Sequence, residues 1–144
     1  NDNGLGVPPL HEDTRRRLFD FIGEVGAILR NPVDVSPAQF KGVEAICESI
    51  RIVASDEGIE LLIVQEDVDI MHSFLGVAET RDVNAFLARL PHEISTPLAV
   101  VLPVGSAEPC RVQVEGDLLA AGIPVFPTMA RAARAISLVG HRPS

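Results

Sequence analysis

The sequence contains no Trp and no Tyr, and its aromatic side chains are six Phe among 144 residues. The core must therefore be aliphatic, built from Val, Ile, Leu and Ala, and a flavin would find few rings to stack on. Cysteine is almost as scarce. Cys47 and Cys110 stand far apart with no CxxC spacing and no neighbouring His, which excludes a disulfide framework and a recognisable metal signature. Both fall on apolar stripes of expected helices and read as small buried hydrophobes. Positive charge is in short supply too: 12 Lys and Arg against 20 Asp and Glu leave a net charge of −8. A nucleic-acid or anionic-membrane surface needs clustered basic residues, so neither partner is expected. The single basic run, Arg15-Arg16-Arg17, points around a helix rather than along one face and reads as a solvated helix start. No stretch reaches the roughly 18 apolar residues of a membrane span. Asn1 to Gly6 is polar and glycine-rich without the basic-then-apolar pattern of a signal peptide, so a cytoplasmic location is expected.

What is present is an alternation of apolar runs with amphipathic stretches. Residues 1–10, with two Gly in three positions and then Pro8-Pro9, read as a linker, and residues 11–144 as one domain. Glu12 and Asp13 favour a helix start, and that helix carries Leu18, Phe19, Ile22 and Val25 as its apolar face. Ala27 to Val35 reads as a short extended stretch. Ser36-Pro37-Ala38-Gln39 has the form of a capping box, opening a helix with Phe40, Val43, Cys47, Ile50 and Ala54 on one stripe. Leu61-Leu62-Ile63-Val64 is an apolar run of strand length, as in a strand covered on both faces. Gln65 to Gly76 is a looser segment, followed by a helix with Val83, Phe86, Leu87 and Leu90 in register, stopped by Pro91. Leu98 to Leu102 is the next strand, and Cys110, Val114, Leu118 and Ala121 mark a helix closed by Gly122. Ile123 to Phe126 is a last strand, and a final helix carries Ala132, Ala135, Ile136 and Val139. The expectation is an α/β fold of four strand–helix units, a mainly parallel sheet with helices on both faces.

In such sheets ligands bind beyond the carboxyl ends of the strands. Four loops fall on that edge: Asn31 to Gln39, Gln65 to Gly76, Val104 to Glu108, and Pro127-Thr128. Three of them lead into a helix whose free N–H groups could accept an anion, with Ser36, Ser106 (after Gly105) and Thr128 as the polar groups there; each could equally be a plain cap. Neither a dinucleotide fingerprint nor a P-loop spacing occurs. His72, beside Asp67 and Asp69, is the one histidine on a strand-end loop; that trio has no fourth partner for a metal. His11, His92 and His141 read as surface residues. No GxSxG elbow and no Cys–His pair complete a catalytic site.

Two segments resemble a known family. Asn31-Pro32-Val33-Asp34-Val35, after a short helix and before a long one, is similar to the Asn-Pro-Val-Asp signature in the C-terminal flavodoxin-like region of NDP-forming acyl-CoA synthetases, the succinyl-CoA synthetase superfamily. Leu118-Leu119-Ala120-Ala121-Gly122-Ile123-Pro124-Val125-Phe126-Pro127 followed by Arg131-Ala132-Ala133-Arg134-Ala135 resembles that region's closing strand and helix. The linker, Asn3-Gly4-Leu5 then Val7-Pro8-Pro9-Leu10, resembles the stretch before the signature. The resemblance spans nearly the whole chain and implies a flavodoxin-like three-layer fold. In the family a first strand with a Gly-rich turn precedes the linker, so the resemblance implies a sheet that lacks that strand here. Thr128-Met129-Ala130 also departs from the family's usual Ser-Pro-Glu.

The resemblance further implies a reaction: acid, CoA and ATP give acyl-CoA, ADP and phosphate through a phosphohistidine. That histidine, the CoA-binding Rossmann unit, and the ATP-grasp unit for nucleotide and Mg²⁺ belong to other domains or subunits, in an oligomer. The region resembled here helps to hold the phosphohistidine loop and has no catalytic residue of its own. It brings Asn31 and Asp34 forward as site-edge residues, beside Ser36, Gly105 and Ser106 from the loop analysis. The alternative is a non-catalytic, synthetase-like sensor, such as one attached to a protein acetyltransferase; a third reading is a free-standing flavodoxin-like binding module.

Overall fold

The computed structural model describes residues 5–22, 28–34 and 42–140. The elements run α1 (Glu12–Ile22), β1 (Ile28–Leu29), β2 (Val33–Asp34), α2 (Val43–Ala54), β3 (Leu62–Gln65), α3 (Val68–Phe74), α4 (Val77–Arg89), β4 (Leu98–Val101), α5 (Glu108–Ala120), β5 (Val125–Phe126) and α6 (Met129–Gly140). A 3₁₀ turn over Leu90–His92 closes α4 at Pro91. The fold is α/β, with a three-stranded parallel sheet in the order β3-β4-β5. No described helix is long and apolar enough to cross a membrane.

Alternation along the strands divides the core. Leu62, Leu98, Val100 and Leu102 face one way and join Cys47 and Ala54 of α2, Phe86 and Leu87 of α4, and Leu118 of α5 in the largest buried cluster. Ala99 and Val101 point oppositely and are equally sealed, with α6 packed along β4 and β5 and its Ala132 fully buried. Helices thus lie on both faces, as expected.

Four expectations are corrected. Ala27 to Val35 is not a strand of the main sheet: Ile28–Leu29 and Val33–Asp34 pair antiparallel as a small separate ribbon around the cis Asn31–Pro32 peptide, so three strands rather than four make the parallel sheet. Two-residue strands carry too little alternation to be told from one extended run. The looser segment contains α3, where Asp67 is the N-cap and its carboxylate accepts from Ile70 N–H (3.1 Å). Cys110 is exposed rather than buried; it sits in the first turn of α5, and the covered part of that stripe starts at Val114. Phe19 and Val139 are exposed as well: the buried positions are Thr14 and Leu18 in α1 and Ala132 in α6. The capping box at Ser36–Gln39, Val25 and His141 lie outside the described residues.

Candidate functional site

The outer edge of β3 is open. Leu62 N–H donates to Pro97 O and Glu66 N–H to Val101 O (2.9 and 3.0 Å), both toward β4. In a parallel ladder the alternate residues, Ile63 and Gln65, point their backbone groups the other way, and on that side no described strand pairs with β3. Between this edge and the Asn31–Asp34 turn lies a cleft of about 410 Å³. Ile46, Ile50 and Val53 of α2 line it with Met71 of α3 and Val83 and Leu87 of α4. Asp34, Glu66 and Asp67 are its charged members, and no Lys or Arg is among the described residues lining it.

The sequence-derived site residues do not all meet here. Asn31 and Asp34 are in the cleft wall. The Asn31 amide is spent on the linker, donating to Pro8 O at 2.9 Å, which ties residues 5–10 to the turn. Ser36 lies outside the described residues. Gly105 and Ser106 stand at the neighbouring strand end, after β4, and are not part of the cleft. Their anion site is already filled from within. The Asp69 carboxylate, from the first turn of α3, accepts from Ser106 N–H (2.5 Å) and Ala107 N–H (2.6 Å) at the start of α5. Those two hydrogen bonds hold the Asp69 carboxyl below its ordinary pKa. Gly105 makes this fit: a Cβ there would sit 2.5 Å from Asp69 Oδ2. A phosphate would have to evict Asp69, so this helix start does not fit the anion role expected of it.

The carboxylates of the Gln65–Gly76 segment are engaged within the fold. Asp67 caps α3, Asp69 caps α5, and His72 is left without either; no group of three or more His, Cys, Asp or Glu among the described residues is placed to hold a metal. Glu66, near the start of the segment expected to be looser, is the exception. It keeps only 5 % of its surface. Asn84 Nδ2 of α4 donates to its Oε1 at 3.1 Å, while Oε2 is sealed with no partner. Burial pushes the Glu66 carboxyl up to about 7, against the opposing pull of the Asn84 hydrogen bond. A buried, half-satisfied carboxyl in the wall of a cleft, at the carboxyl end of a parallel strand, marks a functional site by its chemistry. The available signal was a charged residue one position beyond Gln65, at the end of an apolar strand run.

A second buried carboxyl was also missed. Asp56, at the turn before β3, accepts from His11 N–H (2.9 Å), His11 Nδ1 (2.6 Å) and Gly58 N–H (2.8 Å). His11, expected to be an idle surface residue, is thereby the clasp that holds the start of α1 to the body of the domain.

No family model, no curated protein and no solved structure matches this chain.

Proposed function

We propose that this chain is a flavodoxin-like module of an NDP-forming acyl-CoA synthetase, not catalytic by itself, which seats the phosphohistidine loop of a neighbouring domain against the Asn31–Asp34 turn. The observation that carries the reading is that the Asn31–Asp34 turn, whose residues resemble the family signature, lines one cleft with the open edge of β3 and with Glu66 and Asp67 just past that strand. The order of the other resembling segments, linker before and closing strand–helix after, supports it. On this reading the family's first strand and Gly-rich turn pair with the open edge of β3.

The chemistry of the residues limits the role. A cleft whose described wall carries Asp34 and Asp67 and no Lys or Arg repels a phosphoryl group, and the α5 start is occupied by Asp69. The module therefore positions the loop's polypeptide, while other domains supply the donors for the phosphate, together with CoA, nucleotide and Mg²⁺. The parent protein, incubated with γ-labelled ATP, is expected to form an acid-labile phosphoenzyme that is discharged by CoA and acid, whereas the isolated chain takes up no label. Asp34→Ala should slow labelling and discharge in the parent protein without unfolding it. A parent protein that binds acyl-CoA yet forms no phosphoenzyme would overturn the catalytic reading in favour of the sensor.

A further inference from the structure

We infer that Glu66 and Asn84 form a proton-operated latch, a closed acid–amide ring in which the protonated Glu66 Oε2 donates to Asn84 Oδ1 while Asn84 Nδ2 donates to Glu66 Oε1. This stands independently of the proposed synthetase reading.

Asn84 has two N–H groups; one goes to Glu66 Oε1 at 3.1 Å and the other to Thr80 O at 2.9 Å. Turning the amide over would set Oδ1 against the Thr80 carbonyl, two acceptors face to face, so the orientation is fixed. What remains on this pair is one sealed, partnerless acceptor on each residue, Glu66 Oε2 and Asn84 Oδ1. A single proton on Oε2 satisfies both. Without it, two acceptors are buried with no donor, a costly arrangement in a low-dielectric setting. Nearby hydroxyls cannot substitute, since Thr80 Oγ1 donates to Gly76 O and Ser49 Oγ to Ala45 O.

The charges around the pair favour the protonated form. Asp34 of β2 and Asp67 at the start of α3 are the charged groups sharing the cleft wall with Glu66. On α4 the charged residues flanking Asn84, namely Glu79, Arg81 and Asp82, are exposed. Neither the α2 residues lining the cleft nor strand β4 bears a charge. Among the described residues no Lys or Arg lines the cleft beside the carboxyl, in keeping with the raised Glu66 pKa.

The latch joins the end of β3, which is cleft wall, to α4. Ionisation removes the Oε2 donor and opens the ring, leaving the single Asn84 N–H bond to Oε1 as the tie between the end of β3 and α4. Protonation favours the folded form between the ordinary Glu value of 4.5 and about 7, so stability falls as pH rises across that window and levels off above it.

The test compares the wild-type chain with Glu66→Gln, whose amide supplies the ring's donor without a proton. The wild type is expected to lose several degrees of Tm between about pH 5 and about pH 8 and to show the infrared carbonyl band of a protonated carboxyl that fades across the same range. E66Q is expected to lack that band and to hold a flat Tm; the histidines are common to both chains, so the difference isolates residue 66. A wild type whose buried-carboxyl band is absent at pH 5, or an E66Q chain that keeps the wild-type slope, would overturn the latch. Should E66Q fail to fold, the infrared titration of the wild type decides alone.

Discussion

Strand β3 has a buried carboxyl at each end, and the two are opposites. Asp56, at the entrance, has a side chain with no exposed surface and is surrounded by donors. Burial pushes its carboxyl up, but hydrogen bonds from Thr14, His11 and the Gly58 and His11 backbone outweigh that and hold it well below the usual carboxylate range. Glu66, at the exit, has one donor and one orphan oxygen, and is pushed up to about 7. Solvent exposure is similar, but Glu66 lies deeper in the protein and has fewer donors, and the two differences together decide which of them is ionised. The satisfied one closes the structural end of the sheet, and the unsatisfied one faces the cleft, at the end where parallel sheets bind ligands.

The sharpest way to break the comparison is Asp56→Ala. It strands the His11 and Gly58 N–H groups and releases the start of α1, so it should cost about 3 kcal/mol or more in a urea melt. Because the Asp56 pKa is depressed, its contribution is present above the ordinary carboxylate range and is lost as pH falls toward the depressed value. Glu66 acts in the opposite direction: its raised pKa implies a loss on the order of 3 kcal/mol as pH climbs from about 4.5 to about 7. Wild-type stability should therefore peak near the lower end of that window, and E66Q should keep the acid arm while losing the neutral one.

Two smaller changes sharpen the contrast between the cleft and the β4 end. Gly105→Ala forces a Cβ onto Asp69 and should lower Tm by a few degrees, with the Ser106 and Ala107 amides exchanging faster with solvent. Asn31→Ala loses one exposed hydrogen bond to Pro8 and should cost no more than about 1 kcal/mol, seen chiefly as faster amide exchange near residues 5–10.

Legibility in the sequence followed range. Apolar runs and helical stripes are local, and they placed β3, β4 and β5, and helices α1, α4, α5 and α6, within a few residues. The ribbon at Ile28–Asp34 escaped because its strands are two residues long, and α3 because its seven residues are too few to show a stripe, although Asp67 ahead of Val68 and Met71 was a usable start signal. At the site, the loops after β3, β4 and β5 were legible as the carboxyl edge of the sheet, but not what each does there, and the Asn31 to Gln39 loop does not follow a strand of that sheet. Asp69 reaches the start of α5 across 37 residues, His11 reaches Asp56 across 45, and Asn84 reaches Glu66 across 18. Such pairings leave no mark in either partner's neighbourhood, so a carboxylate that serves as cap, clasp or latch looks in the sequence like any other acidic residue.

Carboxyl-carbon NMR titration of the labelled chain reads both ends of β3 in one experiment. The account predicts that Glu66 titrates near 7 while Asp56 stays ionised down to strongly acidic pH. Two ordinary titrations in the usual carboxylate range would contradict it, by showing that the donors counted at each end do not set the charge.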